Sequence, residues 1–271
     1  QSLAINFHKW KNSQKKFKKF LSHFSNQSQY MIDKKTNQDI ENFNFNPFYL
    51  PTDGLLGLIS NFKNSLHYNR GKQDFSTTYS YSLNKSKNTL SFGYIENNLK
   101  SNQINFIHKL HANWLLEINS THENKESISE NFDSKNYNLD LFKINPTMTY
   151  LFNESNRLNF YYQFYTSENT IGNLESLKQQ KIGLSCVISN TEKINFTTEF
   201  NYLSNSFEGN PNSIIGYIVM EGLQVGSNYT WSFSAQKKLT KFLDLNLSYF
   251  GRKSNNSNTI HNGNIQLRAI F

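Results

Sequence analysis

Between residues 254 and 262 the chain places Ser254, Ser257, His261 and Asn262: hydroxyls, a base and an amide close in sequence. Those are the parts of nucleophilic catalysis, in which a base takes the serine proton and a third group holds the base in position. The same residues are also what a Ser/Asn-rich loop uses for ordinary turns, and no other cluster in the sequence invites a catalytic reading. His108, His111 and His122 share no metal-ligand spacing, and no Cys–His pattern accompanies them. Cys186 lies in an apolar run and reads as a packed thiol. The chain is therefore read as no enzyme, with neither metal nor cofactor implied.

The elements that would position these residues are strands. Apolar and polar residues alternate with period two through most of the chain, and helical periodicity is almost absent. Leu243, Leu245, Leu247 and Tyr249 alternate with Asp244, Asn246 and Ser248, and Tyr229, Trp231, Phe233 and Ala235 with Thr230, Ser232 and Ser234. The same pattern covers Phe196, Phe200 and Tyr202; Ile182, Leu184, Cys186 and Ile188; Leu158, Phe160, Tyr162 and Phe164; and Phe75, Tyr79 and Tyr81. Tyr137, Leu139 and Leu141 fall on the opposite parity to Phe142, Ile144 and Met148, which predicts a bulge near Leu141. Pro146 is an irregularity, since it cannot donate to a ladder. About a dozen strands result, with weaker ones at 3–9 and 20–32. If 3–9 is a strand it is a thirteenth, and it implies a missing partner upstream.

The links between strands carry a second signal. Short links fall near residues 70–72, 110–112, 153–155, 190–192 and 239–241; longer polar ones near 84–97, 123–135, 167–176, 208–227 and 253–258. They alternate along the chain, the layout of a barrel with tight periplasmic turns and long external loops. The mean hydropathy of −0.65 and the lack of any long apolar run exclude a helical membrane protein but not a barrel, whose strands are apolar only at every second position. The apolar face is rich in Tyr, Trp and Phe, as interfacial girdles are. The expected fold is all-β: one domain, 1–271, an antiparallel transmembrane β-barrel of about 12–14 strands. A soluble β-sandwich, an adhesive domain, is the non-membrane alternative, since it too has one apolar face per strand.

No signal peptide opens the chain, so the sequence reads as a mature form or as the carboxy-terminal piece of something longer. The net charge of +8 is concentrated in Lys9, Lys11, Lys15, Lys16, Lys18 and Lys19. Such a patch could meet nucleic acid or anionic headgroups, but no nucleic-acid motif accompanies it, and it reads as a solvated turn between two strands. On the polar parity Arg268, Glu199 and Glu117 are the charges expected to face a lumen, where Arg268 avoids a cost of about 2–4 kcal/mol at a lipid midplane. They could form a charged constriction that selects solutes or a structural polar network. Ile214, Ile215, Tyr217, Ile218, Val219 and Met220 make an unusually apolar run for an external loop, a lumen plug or a partner-docking segment. Residues 43–58, with Pro47 and Pro51, are a comparable stretch.

The last strand ends on Phe271 and resembles the insertion signal of bacterial outer-membrane barrels. Residues 43–48, 61–70, 220–231, 251–254 and 259–271 resemble the carboxy-terminal region of large envelope proteins of the Bacteroidota, with Val225 standing where proline is expected. The resemblance implies an outer-membrane location and brings no catalytic residue with it. Implied partners are outer-membrane lipid, the barrel-assembly machinery and other envelope proteins, with no nucleic acid. The expected role is membrane anchor or component of an envelope assembly, secretion or transport complex. The alternative is a porin-like solute channel with a narrow, loop-restricted lumen.

Overall fold

The structure is a computed structural model, and it describes residues 1–37, 54–72, 74–91, 93–172, 174–190, 194–255 and 257–269. Thirteen strands form one sheet in sequence order, each antiparallel to the next. They are β1 (Ser2–Asn6), β2 (Phe24–Thr36), β3 (Leu55–Tyr68), β4 (Phe75–Leu90), β5 (Gly93–His111), β6 (Trp114–Ser129) and β7 (Tyr137–Leu151). There follow β8 (Arg157–Asn169), β9 (Ser176–Asn190), β10 (Ile194–Glu208), β11 (Gly226–Thr240), β12 (Leu243–Ser254) and β13 (Ile260–Ala269). Two six-residue helices, α1 (Lys16–Leu21) and α2 (Ile214–Val219), sit in links. No helix among the described residues is long and apolar enough to cross a membrane, which says nothing of strands.

The register sorts the side chains into two faces. Met148, Phe160, Leu184, Phe200 and Trp231 stand opposite one another across β7 to β11. One row along, Thr149, Asn159, Ser185, Glu199 and Ser232 do the same on the other face. The apolar face is bare: Ile182 is 59% exposed, Phe200 50% and Phe160 45%. Nothing among the described residues forms a second layer over it. The buried apolar cluster lies elsewhere, on the polar face, where Val219 and Met220 meet Tyr137, Leu139 and Leu177. A soluble sandwich buries its apolar face between two sheets, and this sheet does not.

Several sequence expectations change here. No bulge occurs at Leu141, because β6 and β7 pair without a shift through His122–Phe142 and Glu123–Leu141. Leu139 and Leu141 are apolar on the polar face because α2 packs on that end of it. The ladder between β7 and β8 skips Pro146, as its missing N–H requires. The long link expected at 84–97 is strand instead, since β4 reaches Leu90 and β5 starts at Gly93. Polar cross-strand pairs carry this arm onward: Lys85 Nζ meets Glu96 at 2.9 Å, and Asn98 donates to Glu126 at 2.9 Å. The basic link 7–23 is longer than the other links at its end of the sheet and contains a 3-10 turn, His8–Trp10, and α1. From β5 onward the lengths alternate, with 112–113, 152–156 and 241–242 at one end and 130–136, 170–175, 209–225 and 255–259 at the other; before it they do not, since 69–74 is longer than 91–92. Most of the 43–58 stretch, the 190–192 turn and Phe271 fall outside the described residues.

Candidate functional site

The polar face of β6 to β10 curls around a hollow of about 900 Å3, lined by Glu117, Arg157, Asn159, Tyr161, Lys181 and Glu199 among others. Antiparallel pairing brings these together: Thr147 faces Tyr161, Tyr161 faces Gly183, and Ser185 faces Glu199. Gly183 is what lets Tyr161 lie down across the sheet, since a Cβ there would meet the ring at 2.2 Å. The Tyr161 hydroxyl donates to Glu199 Oε1 at 2.5 Å and also contacts the Asn201 amide oxygen. Asn201 donates to the same carboxylate oxygen at 2.8 Å, and Lys181 Nζ lies 3.8 Å from it. The ammonium of Lys181 also sits over the Tyr161 ring, 5.4 Å from its centroid. Glu199 thus has two donors and a cation around one carboxylate oxygen.

Across the hollow Glu117 accepts from Asn105 at 2.7 Å and from Asn119 at 3.0 Å. Thr149, Asn159 and Ser185 form a short chain of hydrogen bonds at 2.9 and 2.8 Å. The wall therefore presents carboxylates held by amides and a tyrosine hydroxyl, with the cations of Arg157 and Lys181 beside them, an arrangement suited to polar solutes or water.

Toward the long-loop end the same face becomes apolar and is covered. Ser213 caps α2, its side chain accepting from Gly216 N at 3.0 Å. Val219 and Met220 are buried against Tyr137, Leu139 and Leu177, with Ile215 and Ile218 beside them. Ile214 and Tyr217 point away, 49% and 70% exposed. The apolar run read from sequence as one segment is thus divided between an inward-packed side and an exposed one.

Glu117 and Glu199 share the hollow; Arg268 is not among its lining residues. It lies on β13 opposite Asp244, exposed, with no ion pair among the described residues. Arg157 and Lys181 are the cations that the hollow does contain, and sequence reasoning passed over both. The signal available was Gly183, a glycine inside a strand pattern facing a tyrosine on the polar parity. Ser254 and His261 lie on opposite faces: Ser254 Oγ donates to Asn228 beneath the loops, whereas His261 Nδ1 and the Tyr249 hydroxyl are 2.7 Å apart on the apolar side.

No family model matches the chain, and no curated protein matches it. Among solved structures it is similar to the NanC porin, with TM-score 0.39 and 11% identity over 78% of this chain and 94% of that one. The translocator domain of the autotransporter NalP from Neisseria meningitidis gives TM-score 0.36 and 8% identity over 92% and 88%. The β domain of the Bordetella autotransporter Brka gives 0.37 and 8% over 79% and 91%. Likenesses this distant leave the role to the chain's own residues.

Proposed function

We propose that this chain is a bacterial outer-membrane β-barrel serving as the membrane anchor of an envelope assembly, secretion or transport complex. The observation that carries the reading is the course of the bare apolar belt across the sheet. On β5 its limit toward the long loops is Ile104, whose register row runs through Ser120, Ile144 and Phe164 to Gln180 on β9. On β13 its limit is Ile265, whose row runs back through Leu247, Ala235 and Phe196 to Ile188 on β9. Gln180 and Ile188 lie eight residues apart on one strand.

The belt therefore descends about 27 Å along the strands while crossing about 38 Å of sheet, at ~3.4 Å per residue and ~4.8 Å per strand. That corresponds to strands tilted about 35° from the belt's normal, the tilt of a barrel standing in a bilayer. A soluble sheet has no reason to draw its apolar band obliquely. Rings cluster at the short-turn end, with Tyr68–Phe75 at 5.9 Å, Trp114–Tyr150 at 4.9 Å and Tyr150–Phe152 at 5.0 Å. They match an interfacial girdle.

Closure needs one more strand. β1 and β13 run the same way, so the closing strand is antiparallel to both and the total becomes even, as bacterial barrels require. Anchoring ranks above conduction because α2 covers one end of the hollow's wall. The hollow itself favours the second reading, a narrow porin-like channel. The Bacteroidota resemblance agrees with either. The test is migration on a denaturing gel before and after boiling, followed by bilayer conductance. We expect a boiling-dependent shift and little or no conductance. Sustained conductance transfers the assignment to the channel, and identical migration with solubility in the absence of detergent overturns the membrane reading.

A further inference from the structure

At the short-turn end, the link 7–23 and the 69–72 turn enclose a small cavity of about 100 Å3. His8, Lys11, Arg70 and Lys72 line it with Ser22, His23, Ser25 and Asn69, and no carboxylate does. Part of this lining is already committed. His23 Nδ1 and Asn69 Oδ1 are 2.7 Å apart, Ser22 Oγ donates to Lys19 O at 2.6 Å, and Asn69 N donates to His23 O at 2.9 Å. The two segments are thus tied together before any ligand arrives. The three cationic side chains have no ion pair among the described residues, and Ser25 Oγ is buried with no hydrogen-bond partner. With three unpaired cations in its lining and no carboxylate, the cavity is suited to an anion.

The outer rim of the cavity continues into the apolar belt. Phe20 and Phe24 lie 5.2 Å apart edge to face, and the Phe24 ring is tilted against Tyr68 at 5.1 Å. Phe17 is 71% exposed and Phe20 51%, with Lys9, Lys15, Lys16, Lys18 and Lys19 between and around them and no acidic residue from 7 to 23. Exposed rings among lysines lie at a headgroup boundary, rings toward the acyl chains and ammonium groups toward phosphates. We propose that the cavity between the 7–23 link and the 69–72 turn is a binding site for the phosphate of an anionic glycerophospholipid headgroup. Lys11, Arg70 and Lys72 hold the phosphate, and Phe17 and Phe20 lie along its acyl chains.

This rests on the membrane reading, and boiling-dependent migration of the wild-type chain tests that reading before any lipid is added. The lipid test is native mass spectrometry of the folded protein in micelles containing equal phosphatidylglycerol and phosphatidylcholine. Wild type is expected to retain phosphatidylglycerol selectively. In Lys11→Gln/Arg70→Gln/Lys72→Gln the retention falls about tenfold or more, the scale of one lost charge-assisted hydrogen bond. Lys241→Gln, on another turn at the same end, leaves it unchanged. Should the triple variant no longer migrate as a folded band, Arg70→Gln alone carries the comparison. Equal retention of both lipids, or loss in Lys241→Gln as large as in the cavity variants, overturns the site. Inorganic phosphate that displaces the bound lipid at equimolar concentration makes this a free-phosphate site and overturns the lipid assignment.

Discussion

The most constrained contact in the hollow is that of Tyr161 on Gly183. Any side chain at Gly183 meets the Tyr161 ring and the Asn201 amide, both within 2.4 Å of an added Cβ. The ring cannot rise freely, because its hydroxyl is engaged with Glu199 and Asn201. Gly183→Val is therefore expected to destabilise the fold by about 1–3 kcal/mol, the ordinary cost of overpacking. Adding Tyr161→Ala to it should recover part of that loss, since the second change removes the obstruction. Urea midpoints of the boiling-sensitive band measure both, and simple additivity of the two changes contradicts the stacked arrangement. Gly251 repeats the device beneath Trp231, at 2.2 Å from the indole.

At the scale of elements, α2 is held by its own apolar side and by little else. Met220 is 2% exposed and Leu177 1%, whereas the helix has only six residues and a single serine cap. A helix this short does not form without tertiary packing. Met220→Ala should cost about 2–5 kcal/mol at that contact, and the loss falls on α2 because the strands keep their ladders. The expected result is faster chymotrypsin cleavage at Tyr217 with unchanged boiling behaviour; unchanged cleavage would show that the loop is fixed by something other than this contact.

The strands themselves were legible in the sequence, because alternation is a local property and each strand repeats it. What alternation could not convey was where it stops mattering. On the 84–97 stretch both faces are polar because the β4–β5 arm extends past the belt, so a pattern built on one apolar face read it as loop. Leu139 and Leu141 looked like a slipped register because their partner, α2, is about 75 residues away in sequence. The hollow was half legible: parity placed Glu117 and Glu199 on its wall, but which cation stands beside Glu199 depends on the order of strands. Lys181 is on the adjacent strand, and Arg268 is three strands away.

For the whole molecule the decisive quantity is the number of strands. Among the described residues thirteen antiparallel strands leave β1 and β13 pointing the same way at the two edges of the sheet, with every residue of both exposed and neither paired with the other. Within a bilayer such edges are expensive, since no water reaches them. Direct pairing of the edges would be parallel, and a second copy related by an axis along the membrane normal presents the same direction again. One intervening strand satisfies both edges. Ile5, on the register row of Ile104, and Leu267 both lie on the apolar face of the edge strands, on either side of that strand. Two strand spacings separate them, about 10 Å, which exceeds the ~7 Å limit between the Cα atoms of a disulfide. In a Cys186→Ala background, Ile5→Cys with Leu267→Cys should resist disulfide formation in membranes yet react with a longer bismaleimide. A disulfide formed there would mean that the edges touch, and the sheet would then close as thirteen strands with a single parallel seam.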